Sequence, residues 1–180
     1  MAGEFTPEPI RAGDVKVRQA TEADLDGLND VYNEYVGTAH YTFDVEPMTI
    51  EARREWFGHY GAAGRYRVFV AAAGDRVVGY ASSSRYRPKA AYETSVETSV
   101  YLVAEATGLG IGAKLYAALF DSLRGEDVHR AYAGIALPNP ASVALHEKFG
   151  FKRAGLYTEQ GRKFERYWDV AWYEKPLDGH

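Results

Sequence analysis

Gly108, Gly110 and Gly112 stand at alternate positions in A-E-A-T-G-L-G-I-G (104–112), after a Val/Thr/Tyr-rich run at 92–103 and before an Ala/Leu-rich run at 113–124. Strand, glycine turn and helix together present a row of bare backbone N–H groups. The glycines let a ligand approach the backbone, and the new helix adds the positive end of its dipole. That is phosphate-binding chemistry, although a tight turn with close helix packing satisfies the same pattern. No Lys-Ser or Lys-Thr follows Gly112, which argues against a P-loop and a kinase-like nucleotide site. The spacing is also G-x-G-x-G rather than the G-x-G-x-x-G of a dinucleotide fingerprint.

Two further groups carry chemical potential. Alternation along 95–102 puts Ser95, Glu97, Ser99 and Tyr101 on one face and Val96, Thr98, Val100 and Leu102 on the other. A carboxylate in a central strand is costly to bury without compensation. Glu97 is therefore either an edge group paired with an Arg or a group held for proton transfer. Asn139, Ser142 and His146 are spaced three and four apart, so on a helix they share a face. That stripe suits the wall of a cofactor channel, and it equally suits an N-cap, a helix-start serine and a surface histidine. His itself changes charge near neutral pH. His40, His59, His129, His146 and His180 are scattered and suggest no metal cluster, and with no Cys there is neither a disulfide framework nor a thiolate zinc site.

The elements that must position these groups follow from pattern. Val15 to Arg18 alternates as a first strand, and Thr21 with Asp24 makes a weak capping box. Leu25, Leu28, Val31, Tyr32 and Tyr35 then recur at helical spacing. A polar, aromatic loop runs from Thr38 to Pro47, and Thr49 opens a second helix through Tyr60. Strands at 66–73 and 76–84 flank the turn Gly74-Asp75. The strand at 92–103, the glycine turn and a third helix follow, then a strand at 129–137. Asn139-Pro140 is a helix start, and Gly150 is a helix stop. Strands at 151–159 and 164–173 close the order β-α-α-β-β-β-α-β-α-β-β.

Length and charge narrow the function. The chain has 180 residues, is 46% hydrophobic and carries a formal charge of -4. This suits one domain at 15–176, between a flexible leader at 1–14 and a tail at 177–180. The acidic balance gives no support for nucleic-acid binding. No run approaches the ~18 apolar residues that span a membrane, and the N-terminus lacks the apolar core of a signal peptide. A cytoplasmic location is the expectation. Most of the 14 Tyr read as half-buried strand residues.

Four segments carry a resemblance: T-S-V-E-T-S-V-Y-L at 94–102, G-L-G-I-G at 108–112, L-P-N-P-A-S-V-A-L-H-E-K-F-G-F at 137–151 and G-R-K-F-E-R-Y-W-D-V at 161–170. From about Val15 to Pro176 the chain resembles the GCN5-related N-acetyltransferases, and within them the phosphinothricin N-acetyltransferase branch. The resemblance implies a mixed α/β fold with a twisted, mostly antiparallel central sheet flanked by helices. It implies acetyl-CoA as co-substrate, with Val100, Leu102, Val103, Thr107, Gly108, Leu109, Gly110, Ile111, Gly112, Asn139 and Ser142 around it. Thr107 stands where the family usually has Gln or Arg, so cofactor affinity is expected to be altered rather than abolished.

By the same resemblance the base is Glu97, directly or through water, or His146 through a water, and the proton for sulfur comes from His146 or, as a weaker candidate, Tyr116. Phe43 with Tyr41 in the first loop, and Tyr86, Arg87, Lys89 and Tyr92 before the fourth strand, fall at substrate positions. The implied reaction is direct acetyl transfer, in a ternary complex, to the α-amine of a small amino acid such as phosphinothricin, methionine sulfoximine or methionine sulfone. A homodimer is implied as well. Other readings stand beside it: transfer to another small amine or to a peptide or protein amine, and a catalytically silent acyl-CoA-binding module. Glu97 and His146 together argue against the silent module.

Overall fold

A short strand and a capped helix start the fold. The computed structural model describes residues 9–177. Val15–Gln19 (β1) runs into a single 3-10 turn at Glu22–Asp24 and then Leu25–Thr38 (α1). The Asp24 carboxylate accepts the Thr21 backbone N–H at 2.8 Å and receives both guanidinium nitrogens of Arg18 at 2.7 Å. The expected cap is therefore reinforced by a bidentate ion pair. Leu25, Leu28, Val31 and Val36 form the buried stripe of α1. Thr49 caps Ile50–Phe57 (α2) by accepting the Ala52 N–H. That helix ends before Tyr60, three residues short of the pattern-based expectation.

Arg67–Ala73 (β2) and Arg76–Arg85 (β3) form the expected hairpin about Gly74, whose φ is +60°. Ser95–Leu102 (β4) begins later than the sequence pattern suggested, because Ala90–Tyr92 closes into a 3-10 turn after Pro88. Ile111–Ser122 (α3), Arg130–Ala136 (β5) and Pro140–Lys148 (α4) follow. Asn139 caps α4 by accepting the Ser142 N–H at 3.1 Å, and Gly150 takes up the left-handed backbone beyond its end.

Lys152–Lys163 (β6) and Arg166–Pro176 (β7) are longer than their patterns indicated. Glu159, at φ +52°, bulges out of β6 without ending it, and Phe164 and Glu165 turn the hairpin with positive φ and no glycine. Residues 1–8 of the expected leader and 178–180 of the expected tail lie outside the described residues. Ile10 packs on the core, and Leu177 donates its N–H to the His129 carbonyl.

The seven strands make one sheet in the order β1-β2-β3-β4-β5-β7-β6. Every neighbouring pair is antiparallel except β4 and β5. That parallel pair is brief, running only from Ser95↔Arg130 to Glu97↔Tyr132. Beyond Glu97 the two strands part.

Helices cover both faces. Tyr80 and Tyr101 meet Trp56, Tyr32 and Tyr35 of α1 and α2. Alternation turns Leu102 to the other face, where Gly112 of α3 comes so close that a Cβ would lie 3.6 Å from Leu102 and 3.3 Å from Leu145 of α4. One core fills the space under α1 and α3, and a second lies between the end of α3 and β5 and β7. Among the described residues no helix is long and apolar enough to cross a membrane.

Candidate active site

The parting of β4 and β5 opens the cavity that matters. It holds about 550 Å³ and is walled by Thr98–Leu102 of β4, Ala133–Ala136 of β5, the glycine turn, the first turn of α3 and the length of α4 from its Asn139 cap to Lys148, with Tyr35 and Tyr41 on one side. The Val103 N–H donates to Val78 on the β3 side. Alternation therefore aims the backbone groups of Val100 and Leu102 the other way, toward the gap where the β5 ladder has ended. The Leu102 carbonyl there accepts the Tyr35 hydroxyl. The strand edge near Val100 is left to face the cavity.

The glycine turn fits a phosphate. Gly108 and Gly110 hold φ of +74° and +76°, and a Cβ built on either would meet no atom within 4 Å. Both glycines line the cavity, so the turn meets it as bare backbone with no side chain in front. Gly110 precedes α3 and supplies no side-chain cap, so the opening N–H groups of the helix remain available to an anion. Thr107, Gly108, Gly110, Ile111, Gly112, Val100, Leu102, Asn139 and Ser142 all line the cavity. Val103 and Leu109 do not. Val103 is buried in the core and Leu109 packs against it.

His146 lies in the wall and is only 3% exposed. Its Nδ1 lies 2.7 Å from the Ser142 carbonyl and 3.3 Å from the Ser142 hydroxyl, while the Tyr116 hydroxyl lies 2.7 Å from Nε2. A carbonyl only accepts, so Nδ1 carries the proton and Nε2 accepts from Tyr116. Burial holds the imidazole below its ordinary pKa, opposed by the Ser142 hydrogen bond. His146 is a neutral ring with both nitrogens engaged. Tyr116 is wholly buried, and burial pushes its hydroxyl far above the ordinary tyrosine value. It does not line the cavity, and it reaches the wall only through its partners, His146 and, at 3.4 Å, the Thr98 hydroxyl. Sequence spacing groups His146 with Ser142, but nothing in it points across 30 residues to Tyr116.

Glu97 stands at the last position of β4 that pairs with β5, half-buried, opposite Ser84 and Tyr132. Burial pushes its carboxyl up, and the Arg87 charge partly offsets this. The guanidinium of Arg87 lies 4.5 Å above the Tyr86 ring and 5.7 Å from Trp172, and Tyr86 stacks on Tyr132 at 4.3 Å. Tyr86, Arg87 and Tyr92 therefore gather on the Glu97 side of the sheet, with Tyr92 edge-on to Tyr86. Lys89 is exposed nearby. Phe43 lies apart, flat against Gly161 of β6. Of the substrate-side residues Tyr41 lines the cavity itself, beside Tyr35; Phe43, Tyr86, Arg87, Lys89 and Tyr92 do not, and neither does Glu97. Tyr35 reads in sequence only as part of the helical stripe of α1, without any sign that its ring faces the gap.

Residues 17–172 match the family described as the acetyltransferase (GNAT) domain. The chain is 57% identical over 166 residues to a phosphinothricin N-acetyltransferase of Streptomyces coelicolor, covering 91% of this chain and 97% of that protein. It is 34% identical over 163 residues to an L-methionine sulfoximine/L-methionine sulfone acetyltransferase of Pseudomonas aeruginosa, covering 90% and 94%. A GNAT superfamily phosphinothricin acetyltransferase from Sinorhizobium meliloti, solved in complex with AcCoA, superposes with a TM-score of 0.82 at 32% identity over 91% of this chain and 89% of that one.

Proposed function

Because the chain belongs to the GNAT acetyltransferase family and is an acetyl-CoA-dependent N-acetyltransferase, we propose that its acceptor is the α-amine of a small amino acid of the phosphinothricin, methionine sulfoximine or methionine sulfone type. The observation that carries this reading is the Arg87 guanidinium, held over Tyr86 and Trp172 on the Glu97 side of the sheet, where its charge acts on the Glu97 carboxyl. A fixed cation next to a base suits an acceptor that bears an acid group close to its amine. The names of the relatives from Streptomyces coelicolor and Pseudomonas aeruginosa support the same substrate class.

Acetyl-CoA, when bound, supplies an activated acyl carbon and a thiol leaving group. The glycine turn and the start of α3 would hold its phosphates. Glu97 takes a proton from the acceptor ammonium, directly or through one water, and so frees the amine to attack. The Val100 N–H, on the open strand edge, is placed to donate to an oxygen that gains negative charge. The Ser142 hydroxyl supplies a donor on the far wall for developing negative charge on sulfur, and the His146 Nδ1–H, spent on the Ser142 carbonyl, holds that turn of α4 in place. Of the two protons the ammonium loses, one ends on the thiol and one passes from Glu97 to solvent.

The test is CoA release with phosphinothricin, methionine sulfoximine, methionine sulfone, other amines and lysine peptides. Turnover is expected on at least one of the first three, at a kcat/KM exceeding that for every peptide. Turnover confined to peptides or to amines without an acid group would overturn this reading.

We also infer a homodimer, supported by Leu156, Tyr157, Phe164 and Tyr167. These lie on and beside the edge strand β6 and are 41%, 54%, 52% and 57% exposed. Sedimentation equilibrium is expected to give twice the chain mass; a single-chain mass at micromolar concentration would remove the inference.

A further inference from the structure

Lys163 is a charged residue at the end of a strand, yet it is only 4% exposed. The ion pairs among the described residues do not include it. Its ammonium donates instead to two backbone carbonyls, Thr42 at 2.9 Å and Tyr35 at 3.3 Å. Burying an ammonium is costly, and a surface lysine at this place would avoid the cost. The carbonyls it joins belong to the last turn of α1 and to the loop at 39–49. A cation suits the first of these because a helix C-terminus carries partial negative charge.

Lys163 does not act alone. Gly161 lies two residues earlier on the same face of β6. A Cβ there would fall 2.5 Å from the Phe43 ring, so only glycine lets that ring lie on the strand. Trp168, paired with Gly161 across the hairpin, donates its indole N–H to the Lys163 carbonyl at 2.9 Å. The same indole stacks on His40 at 3.8 Å and 4°, and His40 reaches the Pro138 carbonyl at 3.1 Å. The β6–β7 hairpin thus grips the loop through His40, Thr42 and Phe43. Tyr41, between these anchors, lines the cavity together with Tyr35.

We propose that Lys163 is a positioning residue for the acceptor: by tying the 39–49 loop and the end of α1 to the β6–β7 hairpin, it holds the Tyr35 and Tyr41 side of the cavity in its binding shape. Gly161 serves the same end by seating Phe43. The proposal rests on the reading that the amine, rather than acetyl-CoA, meets that side.

Two variants test it, Lys163→Met and Gly161→Ala, which disturb the same loop at different atoms. Loss of hydrogen bonds from a charged donor is expected to raise the KM for the amine about tenfold in Lys163→Met, with the KM for acetyl-CoA within twofold of wild type. Gly161→Ala is expected to move the same constant alone, and the double variant to add little to either single one. An equal rise in both KM values, or a lowered Tm with the amine KM unchanged, would show a merely structural lysine. Limited proteolysis gives a readout that needs no acceptor, with faster cleavage within 39–49 expected in both variants. Unchanged cleavage would overturn the proposal even if no amine of the panel were turned over, and that failure would count separately against the substrate reading. If Lys163→Met does not accumulate as folded protein, Gly161→Ala decides by the same criteria.

Discussion

Replacing Glu97 by Gln is expected to lower kcat about 100-fold while leaving the KM for acetyl-CoA unchanged. A positioned general base contributes roughly 10²–10⁴-fold. The low end applies here because the cavity, with its cofactor cradle, still brings amine and thioester together when the base is gone. The amide keeps the shape of the carboxylate and cannot take a proton. The pH dependence carries a second signature. Burial raises the Glu97 carboxyl above its ordinary value, with Arg87 pulling the other way. Wild-type rate therefore falls as pH drops through that raised value, and this limb is absent in the variant.

Stability moves in the opposite direction. A carboxyl whose folded-state pKa is raised binds more protons folded than unfolded. Its stabilising share is present at low pH and is lost as pH rises through the raised value. At neutral pH the charge of Glu97 is thus a cost, and Glu97→Gln is expected to keep or raise Tm. A kcat within threefold of wild type would remove Glu97 as the base. Tyr116→Phe makes the contrast. It strips the donor from His146 Nε2 and leaves a buried acceptor unpaired, at about 1–3 kcal/mol of stability. A fall in kcat of only about fivefold is expected, because the Nδ1–H toward Ser142 remains.

The parts of this site that were legible in sequence are those governed by local rules. A glycine turn, an Asn-Pro helix start and a Gly stop are short-range signals. Each appears in the structure with the backbone it requires, at Gly110, Asn139 and Gly150. The alternation of β4 likewise put Glu97, Ser99 and Tyr101 on one face. What stayed hidden depends on distant segments. A tyrosine on the inner face of α3 looks like core, and Tyr116 is core; its partnership with His146 exists only because α3 and α4 pack side by side. Lys163 reads as a surface charge because the carbonyls that solvate it lie 121 and 128 residues away. The point at which β4 and β5 part has no marker in either strand. It follows from how few pairs the parallel ladder makes before the glycine turn and α4 draw the strands to different places.

The cofactor side yields the other large effect. Gly110→Val is expected to raise the acetyl-CoA KM more than 30-fold with a smaller change in kcat at saturation. Two terms combine. An L-residue in the left-handed region costs about 1–2 kcal/mol, and a β-branched one is a genuine outlier there. The turn therefore relaxes away from φ +76°. Restoring the binding-competent backbone then weakens affinity by roughly 5–30-fold, since 1.4 kcal/mol is a factor of ten. The second term is steric. Gly110 lines the cavity and no protein atom lies within 4 Å of a Cβ built there, so the added methyl groups are expected to compete with a phosphate for the space at the turn. Gly125→Val separates the two. Gly125 has φ +79° and equally open surroundings but lies beyond the other end of α3, outside the cavity. It is expected to lose similar stability by thermal unfolding and to bind CoA normally by calorimetry. If both variants lose CoA affinity alike, the effect is one of fold. If neither does, the turn is not where the phosphates rest. Loss confined to Gly110→Val places them against the backbone that opens α3.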